Sequence, residues 1–237
     1  MINNIKIEIC LGNIKDVEVL NDYPIDRIEL NSALELGGLT PSINTLIKAK
    51  KISNKKIVCM CRNRGGDFNY SEEEYEVMFS DAKLMLEHGA DGIVFGFLNP
   101  DNSINIEKTR QMVELIHSYH QEAIFHKAFD ETGDLSKAAS LLSGLGIKRI
   151  LTAGGKNLDI VAGARIINEL KEEFAGLEFL PGGGVRVDNI KEVATISRTL
   201  QIHMTAKKLD AGGYLRLDIN QLKEMLDKLK ELSLLGV

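Results

Sequence analysis

Apolar residues recur at every second position in short runs and then at three- and four-residue steps in longer ones, and the chain repeats this beat from end to end. Eight beats are counted. The β-like runs are KIEIC from Lys6, DRIEL from Asp26, KIVCMC from Lys56, DGIVFG from Asp91, EAIFHK from Glu122, KRILTA from Lys148, LEFLPG from Leu177 and LQIHMT from Leu200. Amphipathic stretches lie between them. The clearest helix follows Ser71, where Ser-Glu-Glu-Glu has the capping-box pattern, and runs to His88 with Gly89 as its stop. Eight strand-helix units with no linker predict an α/β protein, a single-domain (β/α)8 TIM barrel over residues 1–237. A loop, KKLDAGGYLRLD, is expected to lead into a last helix at about 219–235 that closes the ring.

In such a barrel, strand residues alternate between the helix layer and the interior. Ile5, Ile7 and Ile9 then face the helices, which turns Lys6, Glu8 and Cys10 inward; Arg27, Glu29 and Asn31 repeat the polar rhythm on the next strand. Two glutamates thus approach each other inside the barrel, with Cys10 and Asn31 nearest the C-terminal rim, where such barrels place their active sites. Other strand ends add to that rim. Arg62 and Arg64 share the parity of Met60, which sends Cys59 and Cys61 toward the helices, and RGGDF adds Asp67. FHKAFD offers His126 inward between outward Phe125 and Lys127, with Asp130 beyond. Thr152 precedes one glycine turn, Gly182, Gly183 and Gly184 form another after strand seven, and His203 and Thr205 end strand eight. Glycines after strand seven and small residues after strand eight suit anion binding through backbone N–H groups.

Composition narrows the partners. With 237 residues, 44% hydrophobic and 27% charged, the chain can bury one sizeable core. A net charge of -5 and 5% aromatic residues with no Trp argue against nucleic acid. No stretch approaches a membrane span, and Met1 to Asp16 lacks a basic lead followed by a long apolar run, so no membrane partner and a cytoplasmic location are expected. Three cysteines, two of them only two positions apart in CMC, point to reduced thiols.

The blocks IEIC, DRIELNSALELGGLTPS, RNRGGDFNYS, ADGIVFGFL, FHKAFD, KRILTAGG, PGGGV and HMTA, in this order from about Ile5 to Ala206, resemble the CutC family, proteins named for copper homeostasis. The resemblance implies a (β/α)8 barrel, a cytosolic location, self-association as a homodimer or higher homo-oligomer and, in some members, Cu(I) held by two rim cysteines. Cys10 matches the first of these cysteines, whereas Asn31 stands at the second, so the expected metal ligand is Cys10 and the expected cofactor copper(I). Two thiolates make a better Cu(I) site than one. Three function classes follow: a copper-handling protein; a barrel enzyme using Glu8, Glu29 and His126 in acid/base or divalent-metal chemistry on a small phosphate or carboxylate metabolite; and a non-catalytic small-molecule binder.

Overall fold

The expected alternation is realised as a ring of parallel strands in the computed structural model, which describes residues 1–232. The strands are β1 (Lys6–Leu11), β2 (Arg27–Leu30), β3 (Lys56–Met60), β4 (Gly92–Phe95), β5 (Glu122–Phe125), β6 (Arg149–Thr152), β7 (Glu178–Pro181) and β8 (Gln201–Met204). Each pairs with its sequence neighbour from β1 to β7, and β8 pairs with β1. The ring is therefore nearly closed, with β7 and β8 side by side at the seam. Gly182 sits at that seam because a Cβ there would come within 2.6 Å of Leu151 Cδ1 and 3.0 Å of His203 Cβ.

Helices α1 (Ile14–Val19), α2 (Ile43–Ile52), α3 (Glu72–Glu87), α4 (Ile106–Ser118), α5 (Leu135–Gly144), α6 (Ile160–Glu173), α7 (Ile190–Ser197) and α8 (Ile219–Lys230) cover the outside. Ser71 caps α3 in a full capping box with Glu74. The final helix ends at Lys230; the part of its expected span beyond residue 232 lies outside the described residues. One expected loop is not a loop. Lys207–Leu209 (β9) and Leu215–Leu217 (β10) pair as an antiparallel hairpin, because Asp210 accepts backbone N–H bonds from Gly212 and Tyr214 and Gly213 takes a positive φ of 75°.

The core has two compartments. Outward strand residues such as Ile7, Ile9, Ile28, Cys59 and Phe95 pack with the helices in one continuous apolar layer. Inside the ring, Val58, Met60, Val94 and Ile124 form a separate apolar group on the β3–β5 side. The β1, β2 and β8 side is filled instead by buried polar residues, among them Glu8, Arg27, Glu29, Gln201 and His203.

Candidate functional site

Strand register stacks the polar wall in layers. Glu8 lies in register with Arg27 on β2 and with His203 on β8, and Cys10 one layer higher with Glu29. In the lower layer Arg27 Nε donates to Glu8 Oε2, while His203 Nδ1 stands 2.6 Å from Glu8 Oε1. Burial alone would raise the Glu8 carboxyl, but the charge of Arg27 and the bonds from His203 and Arg27 outweigh it and hold Glu8 down at about 2. Glu8 is an anion between two donors. His203 is pushed up despite burial, because Glu29 and Glu8 both favour its charged form.

In the upper layer Asn31 Nδ2 donates to Glu29 Oε2 at 2.8 Å and reaches Cys10 Sγ at 3.3 Å. The other Glu29 oxygen, Oε1, is buried with no hydrogen-bond partner. Burial first, and the neighbouring Glu8 charge after it, raise the Glu29 carboxyl. Burial also drives the Cys10 thiol well above its usual range, with the Glu29 charge adding to it. Ligand atoms of Cys10, Glu29 and His203 all lie within 4.8 Å of one another. Since Glu8 occupies Nδ1 of His203, the nitrogen available to that cluster is Nε2. A carboxylate behind an imidazole in this manner fixes tautomer and ring orientation at metal sites.

These groups form the floor of a cavity of about 220 Å³ at the C-terminal end of the barrel. Arg62, His126, Gly183, Gly184 and Thr205 line it, as the strand-end rule leads one to expect. His126 Nδ1 accepts the Ala128 N–H at 3.1 Å, and burial, with the charge of Arg62, holds its imidazole neutral by lowering it to about 3. Gly96 leaves room for this ring, since a Cβ there would lie 2.6 Å from His126 Cε1. Arg62 spans two loops, donating to the carbonyls of Leu36 and Gly66.

Several expected rim residues stand elsewhere. Arg64 turns away from the mouth to donate to Glu74 at 2.5 Å and Asp67 at 3.1 Å, with its guanidinium over Tyr70, so Arg64 and Asp67 brace the β3–α3 loop. Strand parity does not extend that far because β3 ends at Met60. Asp130 and Thr152 bond each other, and Asp130 also accepts Ala153 N–H at 3.0 Å; the pair fastens the ends of β5 and β6 beneath the cavity wall. Gly182 belongs to the seam. Glu8 lies below the floor, leaving Glu29 and His126 as the members of the expected acid/base set that line the cavity.

Conversely, Lys127, Arg186 and Lys207 line the cavity without having been singled out. Lys127 was expected to face the helices, but β5 stops at Phe125 and a 3₁₀ turn from Lys127 to Glu131 breaks the alternation. Arg186 and Lys207 lie just past the β7 and β8 ends, where position after a strand is the sole sequence signal. His203, expected at the rim as the end of strand eight, stands beside Cys10 and Glu29 and is a metal-ligand candidate. Cys59 and Cys61 do pack against the helices, and Cys61 Sγ lies 3.1 Å from Met78 O.

The fold is a parallel (β/α)8 barrel, and the Cys10-Glu29-His203 cluster at the floor of its rim cavity is a set of side chains that could hold a metal ion. The CutC family model matches residues 5–208, and the chain belongs to the CutC family. A CutC family protein from Treponema denticola is 39% identical over 205 residues, covering 86% of this chain and 82% of the relative. A Drosophila melanogaster protein named copper homeostasis protein cutC homolog is 39% identical over 219 residues, covering 89% and 80%. The crystal structure of a Streptococcus agalactiae CutC matches with a TM-score of 0.79 at 30% identity, over 84% of this chain and 97% of that one.

Proposed function

We propose that this chain is a copper-homeostasis protein that holds one Cu(I) at the barrel rim through Cys10 Sγ and His203 Nε2, with Glu29 as a third, harder donor. The observation that carries this reading is the convergence of those three side chains, within 4.8 Å, from β1, β2 and β8. Cu(I) favours soft sulfur and accepts imidazole, so a Cys-His pair suits it less well than two thiolates but better than oxygen alone. The donor set fits: Glu29 Oε1 is buried and unpartnered, and Glu8 holds the far side of the imidazole. Burial pushes the Cys10 thiol well upward, so it keeps its proton in the metal-free protein, and Glu29 and Glu8 push His203 in the same direction. Binding therefore releases protons and tightens as pH rises.

Anaerobic Cu(I) titration against a competing chelator tests this reading. One equivalent of modest affinity is expected in the wild type, lost in Cys10→Ser and in His203→Gln. Binding that survives both changes and disappears in Cys59→Ser or Cys61→Ser would assign the metal to the other thiols.

The same reading places the protein in the cytoplasm as a homodimer. All three cysteines are free thiols, which suits a reducing compartment, and among the described residues no helix is long and apolar enough to cross a membrane. Closed symmetric pairs are the commonest assembly, and Leu209 and Tyr214 of the hairpin, with Leu36 after β2, expose apolar surface. The LLGV end, also expected to contribute, lies outside the described residues. Light scattering should report twice the chain mass; a monomer at every concentration would exclude the dimer.

A further inference from the structure

Arg62 is a buried cation with no carboxylate partner among the described residues. It is 6% exposed, its three hydrogen-bonded acceptors are the backbone carbonyls of Leu36, Gly38 and Gly66, and no salt bridge includes it. Carbonyl dipoles solvate a guanidinium but do not cancel its charge, and a charge taken out of water calls for a counter-charge. The cavity is where that counter-charge has room.

His126 points to the same need by a separate route. Its Nδ1 is the acceptor of the Ala128 N–H, so the ring proton of the neutral imidazole sits on Nε2. That donor is buried without an acceptor, in a residue 3% exposed that lines the cavity. A buried donor left unpaired is costly, and a ligand oxygen accepting from it removes that cost. Phe68 joins these two groups: its ring centroid is 4.8 Å from that of His126 and 5.0 Å from the Arg62 guanidinium carbon.

The opposite wall carries its own positive charge. Arg186 follows β7 and Lys207 begins β9 after β8, and neither makes a salt bridge among the described residues, whereas the neighbouring Lys127 stands 3.8 Å from Asp130. Beside them the N–H groups of Gly183 and Gly184 donate to no acceptor among the described residues, and Lys127 reaches over Gly183, where a Cβ would meet its Nζ at 2.8 Å. In the strand order, β3 and β7 are four places apart on an eight-strand ring, so Arg62 and Arg186 stand on opposite sides of the mouth.

From this arrangement we infer a ligand site that is separate from copper chemistry: the cavity takes a small organic molecule bearing two oxyanion groups, carboxylate or phosphate monoester. One group pairs with Arg62 and accepts from His126 Nε2, and the other rests on the glycine turn among Lys127, Arg186 and Lys207. A volume of about 220 Å³ is below the ~300 Å³ at which drug-sized pockets begin, so the carbon skeleton joining the two groups is short. Glu29 at the floor disfavours a third negative group. The guanidinium fork of Arg62 matches a planar carboxylate or a phosphate face, whereas the ammonium groups and N–H donors at the lip accept either geometry.

Calorimetric titration of the full chain in the presence of a chelator tests this without metal. The probes are inorganic phosphate, methyl phosphate, succinate and 2-phosphoglycolate, the last two distinguishing paired carboxylates from a phosphate with a carboxylate. At least one two-group probe should bind ten or more times tighter than either single-group probe. The double change Arg186→Ala with Lys207→Ala, the first at an exposed loop position and the second at the half-buried start of β9, should remove most of that advantage while thermal unfolding stays near wild type. Arg62→Lys keeps the charge but loses the fork, and should weaken the two-group probe about tenfold. Equal binding of single- and two-group probes, no binding of any, or a lip double variant that binds like the wild type overturns the inference. Because no metal is present, these outcomes are independent of whether Cu(I) binds Cys10.

Discussion

Glu8 and His203 are separated by 195 positions in the chain, yet Glu8 Oε1 and His203 Nδ1 meet at 2.6 Å inside the ring, because β1 and β8 pair with these residues in register. Glu8 also receives Arg27, so one carboxylate holds both a permanent cation and an imidazole. The Glu8→Gln variant keeps the shape and removes the charge. It leaves Arg27 buried without its anion and should cost about 3–5 kcal/mol in chemical denaturation. If His203 is a Cu(I) ligand, the same change should weaken metal binding about 10–100-fold by releasing the imidazole orientation. A variant as stable as wild type would show that the Arg27 charge is compensated elsewhere.

Asn31 now bridges Cys10 and Glu29 from the position where the CutC resemblance implies a second cysteine. Asn31→Cys should therefore raise Cu(I) affinity at least tenfold over wild type, since it adds a second soft ligand beside Cys10. Competition with a chromogenic Cu(I) chelator measures the change. Unchanged affinity would place the metal away from Cys10.

Thiol reactivity separates native from unfolded protein. Burial pushes Cys59 and Cys61 far upward, and Cys10 is raised by burial and by Glu29, so the reactive thiolate form is suppressed at all three. A disulfide reagent at neutral pH should leave the native protein nearly unlabelled for as long as it stays folded, then label three thiols in denaturant. Rapid native labelling of Cys10 alone would mean that its floor position is more open than the packing indicates.

His126 ties stability to pH. Its imidazole titrates at about 3 in the fold against an ordinary value of 6.5, chiefly because burial opposes the charge. Between those values the unfolded chain binds a proton that the folded one refuses, so stability falls as pH falls from about 6.5 toward 3. The full effect amounts to about 5 kcal/mol as an upper bound. His126→Asn cannot titrate and retains an acceptor for the Ala128 N–H. Its unfolding free energy should fall less steeply with acid by up to one proton's worth of slope, and identical slopes in the two proteins would remove His126 from the account.

Period, caps and turn residues specified the fold, since each is a local property of the backbone. All eight barrel strands begin within a residue or two of their expected places, the Ser71 capping box forms, and the inward parity of Glu8, Cys10, Arg27 and Glu29 holds as long as each strand continues. Where the strands end, parity lost its force. Lys127 swings to the cavity and Arg64 turns to Glu74, because a 3₁₀ turn and a bracing loop, rather than the pleat, aim their side chains. Partnership was also beyond the reach of sequence. That His203 is the residue completing a cluster with Cys10 and Glu29, and that Arg62 and Arg186 face each other across one mouth, depends on ring closure and strand register. The sequence by itself determined which groups point inward, through the two-residue period of a strand; only the closed sheet decided which of them meet, because register between strands distant in the chain is set by packing of the whole ring.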